Sequence, residues 1–275
     1  MAMRKVTVSL FLLITLVFIS IQSFSQIPGY DYNSHWEKAD SSVKAKKENN
    51  QPQIIKSLLY KNVLAGQFLE NSLEKMIDTF STEMQSSSGV EKSILQSITA
   101  QMYQRYFNVN RYKIYRITQT ENFQKKDIAT WSAQDFYKKI SGLYLASISD
   151  PELKGISLKP FEAIIDTGNA GYLRPTLFDL LAHRALDYFK NTGNTGFVTS
   201  SDFEIDDPIA LSDYKTFAAA SFTYRDSLSA LLNAIYIFQK LIRFHADDIN
   251  PLIDVDIERI QFIFQNGVFA NKDSL

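Results

Sequence analysis

Cysteine is missing from this 275-residue chain. That absence excludes disulfides, thiol nucleophiles, cysteine metal sites and lipid attachment to a processed N-terminal cysteine. Stability therefore rests on the packed core alone. Histidine is scarce: three are present, His35, His183 and His245, and none stands in a His-Glu-x-x-His spacing. No Gly-x-Ser-x-Gly, phosphate-loop or dinucleotide fingerprint occurs. Neither sign of charge dominates, with 29 Lys and Arg against 30 Asp and Glu, so the chain lacks the basic footprint of a nucleic-acid binder. Seven prolines and ten glycines, among abundant Leu, Ile, Phe and Tyr, suit a helical globular body.

The first residues carry the most functional information. Arg4 and Lys5 precede an apolar run from Val6 to Ile21, and small residues follow at Ser23 and Ser25. This order reads as a secretory signal peptide over 1–25, with cleavage between Ser25 and Gln26. The run is short for a membrane span and has no basic stop-transfer flank. Removing 25 of the 275 residues leaves 250, enough for a sizeable core. It also takes the basic count from 29 to 27 against 30 acids, a net charge of −3. No second long apolar run follows, so the mature chain is expected not to span a membrane. The mature chain is expected to work outside the cytoplasm.

Beyond an extended leader at 26–33, the apolar spacing turns helical, and 34–266 reads as a helical domain. Trp36, Ala39 and Val43 share one face, ahead of a solvated run from Lys44 to Asn50. Pro52 opens a helix carrying Ile55, Leu58, Leu59 and Val63. Leu73, Met76, Ile77, Phe80 and Met84 form the next stripe, broken at Ser86–Gly89. Val90, Ile94, Ile98, Met102 and Tyr106 form another. Residues 108–131 look irregular, and Tyr112–Ile117 reads as a short strand or an extended wrap. Ser132 with Asp135 signals a helix start. Asp150-Pro151 ends that helix, and a loop with a short helix near Phe161 leads to Pro175. Leu177–Phe189 is the best-defined helix. A single long helix is expected from Tyr214 to His245, lined by Leu228, Leu231, Leu232, Ile235 and Ile242. The last helix follows Asn250-Pro251, with Ile253, Ile257, Ile260 and Phe264 as its apolar stripe. The expected fold is all-α: an irregular, α-solenoid-like array of antiparallel helices, tetratricopeptide-like at most, because no strict repeat period is present. Residues 267–275 read as the start of a linker to a further region.

Candidate sites are few. Asp166-Thr167-Gly168 matches the catalytic turn of aspartic proteases, but no second Asp-Thr/Ser-Gly supplies the partner carboxylate. It reads more simply as a turn before a helix. Asp202, Glu204 and Asp206 are spaced like the first three ligands of a calcium loop. Asp207 then stands where the loop needs glycine, and Asp213 where it needs glutamate. A solvated loop before Pro208 is the plainer reading. His183 is expected to be structural, bonded to a neighbouring loop, and His245 to suit a helix C-terminus. Tyr103, Tyr106, Phe107, Tyr112 and Tyr115 lie close together and could line a groove, although packing of irregular chain on helices accounts for them. No cofactor and no catalytic residue is expected.

Several stretches together resemble one family. They are Trp131-Ser-Ala-Gln-Asp-Phe136 with Leu143-Tyr-Leu-Ala-Ser147, Gly168-Asn-Ala-Gly171, and the run from Leu173 through His183 to Phe189. Phe203-Glu-Ile-Asp-Asp-Pro208, Leu241-Ile-Arg-Phe-His245 and Asp254-Val-Asp-Ile-Glu-Arg259 complete the set. The chain is similar to the N-terminal region of exported alpha-2-macroglobulin-like proteins of the Bacteroidetes type. That resemblance implies a signal peptide, a helical region ahead of many β-sandwich domains, and a place in the periplasm or cell envelope of a Gram-negative bacterium. It also implies endopeptidase inhibition by the full-length protein, through a bait segment and a reactive thioester. A chain without cysteine cannot form the thioester, so no functional residue of the family maps onto it. The expectation is a non-enzymatic scaffold or interaction module whose partners are downstream domains of the same protein or another envelope protein. The alternative is a stand-alone exported protein that binds a peptide or glycan.

Overall fold

The structure is a computed structural model, and it describes residues 42–48, 50–68, 72–117, 127–162, 164–165, 168–191, 203–223 and 229–269. The signal peptide with Ser25 and Gln26, the leader, His35, Trp36, Asp166, Thr167, Asp202 and Leu228 lie outside them. Among the described residues every regular element is a helix, and an isolated parallel bridge joins Ile205 and Gly267. No described helix is long and apolar enough to cross a membrane. Nine α-helices are described: α1 Ser42–Lys47, α2 Gln51–Phe68, α3 Ser72–Ser86, α4 Gly89–Ile114, α5 Ala133–Ser147, α6 Leu177–Asn191, α7 Tyr214–Ala219, α8 Ala230–Phe244 and α9 Ile249–Asn266. They divide into two compact units within the 34–266 stretch, one made of the chain up to Ser87 with Ser157–Gly171, the other of Ser88–Ile156 with Tyr172 onward.

In the first unit, α1 packs on α2 and α2 on α3. The apolar stripes produce this order, because Ile55 and Leu58 on α2 and Met76, Ile77 and Phe80 on α3 are all buried. The run from Lys44, expected as solvated chain, is helical through Lys47, with Ala45 turned inward and Lys46 paired with Glu83 at 2.6 Å.

In the second unit, α4 packs on α5, α5 on α6, α6 on α8 and α8 on α9. Gly89 opens α4 with φ +55, a backbone setting that favours a residue without Cβ. Two capping boxes fix the next helix starts. Ser132 accepts from the Asp135 N–H while Asp135 accepts from the Ser132 N–H at 2.8 Å. Thr176 and Asp179 repeat the arrangement at the start of α6, with Thr176 N donating to Asp179 Oδ2 at 3.0 Å.

Three sequence expectations change here. Tyr112–Ile117 is neither strand nor wrap: α4 continues to Ile114 and ends in a turn. No Pro or Gly interrupts residues 90–117. Tyr106 and Phe107 pack their rings on Phe136 of α5, so tertiary packing overrides the local β preference. The long helix from Tyr214 to His245 is two helices, α7 and α8. Gln239 on α8 donates to the carbonyls of Phe217 and Ala220, and Arg243 donates to that of Ala218. Side chains thus satisfy the carbonyls that a continuing helix would have used. Asp213 caps the start of α7 through Lys215 N and Thr216 N.

The third change concerns α9. Its expected core stripe faces outward: Ile253, Ile257, Ile260 and Phe264 are 49%, 51%, 41% and 45% exposed. Leu252, Val255, Arg259, Phe262 and Ile263 form the buried face instead. Both sets have helical spacing, and the sequence pattern offers no reason to prefer one.

Candidate functional site

Helix α9 has two apolar faces, and that is the feature a functional reading must explain. With about 100° between successive residues, Ile249, Ile253, Ile257, Ile260 and Phe264 fall within about 80° of arc. They form a straight ridge about 23 Å long at 1.5 Å per residue. The buried residues occupy the opposite side, against α8, where Phe262 packs on Phe238. A helix apolar on opposite sides is built to sit between two layers. The described neighbour covers only one of them.

The sides between these faces are charged. Asp254 and Glu258 meet Arg174 at 3.6 and 3.8 Å, and Glu258 also accepts from Lys190 of α6. His183, buried on α6, has Nδ1 2.8 Å from the carbonyl oxygen of Asp179. Its Nε2 lies 4.0 Å from Glu258 Oε2 and has no hydrogen-bond partner. Burial, and then the charge of Arg174, hold the His183 pKa down at about 4. The ring is neutral at pH 7, so Nδ1 donates to the carbonyl and Nε2 keeps its lone pair. Burial pushes Glu258 up, but His183, Lys190 and Arg174 outweigh it and hold the carboxyl below its usual range. Asp187 is pushed up to about 6 by burial and by Glu258.

This network fastens α9 to α6. The one unpartnered base, His183 Nε2, faces a carboxylate that is already paired. Among the described residues no group of three or more His, Asp or Glu is arranged to hold a metal ion.

The raised Asp187 pKa makes a testable prediction. Between the unfolded carboxyl value near 3.9 and about 6, the folded state holds a proton that the unfolded state has lost. This term therefore lowers stability as pH rises through 6. Asp187→Asn cannot ionise. It should be more stable than the parent above pH 6, by about 1–2 kcal/mol after screening at its half-buried edge, and equal to it below pH 4. Urea unfolding of both proteins across that range measures the difference. A constant difference at every pH would show that ionisation is not its source.

The sequence candidates land apart. Glu204 and Asp206 are exposed, while Asp202 lies outside the described residues. Asp207, in the same loop, caps the short 3-10 helix Pro208–Leu211 through Ile209 N at 2.9 Å. Asp213, at the twelfth position of the calcium spacing, caps the start of α7. Gly168 begins a 3-10 helix through Leu173. His183 bonds its own helix rather than a loop. His245 ends α8, and its Nε2 meets Asp179 Oδ1 at 2.7 Å, so a specific buried partner holds it. Tyr103, Tyr106 and Phe107 are buried, and Tyr103 stacks on Trp131 at 5.4 Å. Those three pack the α4–α5 core, while Tyr112 and Tyr115 are exposed.

Sequence reasoning missed Arg174, Asp187, Lys190, Glu258 and the outward turn of the α9 isoleucines. The Thr-x-x-Asp at 176–179, matching Ser-x-x-Asp at 132–135, was a usable signal for the helix start that aligns several of them. No family model, curated protein or solved structure matches the chain.

Proposed function

We propose that this chain is a non-enzymatic helical interaction module of an exported protein, and that its α9 ridge is the docking face. The observation that carries the reading is the row Ile249, Ile253, Ile257 and Ile260, exposed on a helix whose other side is buried in the core. The occupant is an amphipathic helix of a partner domain. A straight ridge one side chain wide fits the groove of a second helix better than the flat face of a sheet. Asp247 and Asp248, exposed just before α9, favour basic residues at the matching end of that partner. The succession α4, α5, α6, α8, α9, each packed on the one before, supports a solenoid-like arrangement in which α9 forms an edge.

The apolar N-terminal segment supports export to the periplasm or cell envelope. The resemblance to alpha-2-macroglobulin-like proteins supports a role within a protease-trapping or envelope-defence protein. Its partner helix would then belong to downstream domains of the same protein or to another envelope protein.

Two measurements test the docking face. Ile257→Asp should change unfolding free energy by no more than about 0.5 kcal/mol, because the side chain is half exposed. A large loss would show that the face is part of the core. A photo-crosslinking amino acid at position 257 in the native host should give one discrete adduct, mapping to a helical segment. Ile253→Asp and Ile260→Asp together should abolish it. A smear of unrelated adducts, or none, would remove the docking face, and turnover of any substrate by the purified chain would remove the non-enzymatic reading.

A further inference from the structure

A second surface lies at the C-terminal end of α4, and it has a different chemistry. From Tyr103 to Ile117 the chain holds Arg105, Arg111, Lys113 and Arg116 and no acid. All four cations are exposed. Between them Val109 is 69% and Tyr112 73% exposed, among the most exposed large apolar residues described. At helical spacing, Arg105, Val109, Tyr112 and Arg116 fall in one row, flanked by Arg111 and Lys113. Arg111 lies over the Tyr112 ring, 5.0 Å from its centroid, and donates to its hydroxyl at 3.2 Å, which holds both at the surface.

Part of this pattern has a local cause. Cations in the last turn of a helix complement its dipole, which accounts for Arg111 and Lys113. It does not account for an exposed Val and Tyr between guanidinium groups. The composition matches the centre of a protein interface, where Tyr and Arg are enriched and acids depleted. It suits a bilayer less well. The apolar face of α4 is spent on the core through Tyr106, Phe107 and Ile114, so the outer face has little to insert into lipid.

We propose that the outer face of α4 over residues 105–116 binds an acidic polypeptide segment. Its carboxylates pair with Arg111, Lys113 and Arg116, and its backbone or apolar groups lie on Val109 and Tyr112. This face is independent of the α9 docking ridge and stands or falls separately.

The probe is fluorescently labelled poly-L-glutamate of about twenty residues, with poly-L-lysine as control, followed by anisotropy in low salt. The chain should bind polyglutamate and not polylysine. Binding should weaken by about tenfold or more for Arg111→Glu with Arg116→Glu, and on raising salt to about 0.5 M. Tyr112→Ala keeps every charge and should weaken binding by a few-fold. Circular dichroism and melting of each variant check folding, and if the double variant fails to fold, Lys113→Glu alone replaces it.

No polyglutamate binding, or binding that the charge reversals leave unchanged, overturns the proposal. So does charge-dependent capture by phosphatidylglycerol vesicles that is tighter than polyglutamate binding, which would make lipid the ligand. Self-association abolished by the same reversals would assign the face to a second copy and overturn it equally.

Discussion

Replacing Arg259 with methionine should lower the unfolding free energy by about 3–5 kcal/mol, the range for breaking a buried ionic and hydrogen-bonded group. Arg259 is fully buried on α9. Its Nη1 donates to Ala210 O at 2.6 Å, its Nη2 to Ser212 O at 3.0 Å and its Nε to Asp256 Oδ1 at 2.8 Å. Its guanidinium lies 4.5 Å from the centre of the Phe217 ring. One side chain thus joins α9, the Pro208–Leu211 turn and α7. Methionine fills much of the volume but leaves two inner carbonyls without donors and Asp256 without its cation.

Lysine should rescue little of this loss, because a single ammonium cannot reproduce three donors in one plane while lying over a ring. Equilibrium urea unfolding gives the magnitude. Hydrogen exchange gives the location, with protection expected to fall first in α9 and at residues 208–212. A loss below about 1 kcal/mol would mean that water replaces the guanidinium at little cost. The proposed docking face depends on this anchor, because Arg259 helps fix which way α9 is turned and so which isoleucines face outward.

Asp179→Ala should cost about 3 kcal/mol, combining a lost helix cap with a stranded buried donor. The carboxylate is wholly buried and accepts from Thr176 N, from the Thr176 hydroxyl and from His245 Nε2. It therefore sets the start of α6 and ties it to the end of α8. Asp179→Asn keeps the shape but weakens each of these bonds, and it should fall between the parent and the alanine variant. A double-mutant cycle with His245→Ala separates the parts. Strong coupling is expected, since each partner loses its purpose without the other. Additive losses would show that the cap alone carries the effect.

These two positions show what the residue pattern could and could not reveal. The helical period at 90–106 locates α4, which is buried on nearly every side, while those at 73–84 and 136–144 locate α3 and α5 because each of these two has a single apolar stripe. One stripe leaves one way to face the core. The caps at Ser132 and Asp150 are equally local, since a side-chain oxygen and a backbone N–H a few residues away suffice. Tyr112–Ile117 misled because aromatic and β-branched residues suit a strand when their neighbours are unknown. The break between α7 and α8 was invisible because Gln239 and Arg243, which satisfy the end of α7, lie about twenty residues downstream.

Residue order alone determined that regular structure here is helical, and it placed most helix starts, through spacing and caps that act within a few residues. It also supplied every apolar residue of α9 without saying which half is buried. Only the tertiary structure decided that. Two stripes with the same period compete for one core, and the winner is the one whose Arg259 reaches the carbonyls of residues 210 and 212 and whose Phe262 meets Phe238. The pairing of Glu258 with Lys190 and the orphaned Nε2 of His183 have the same origin, because their partners lie some seventy residues away in the chain and are brought together only by packing α9 against α6 and α8.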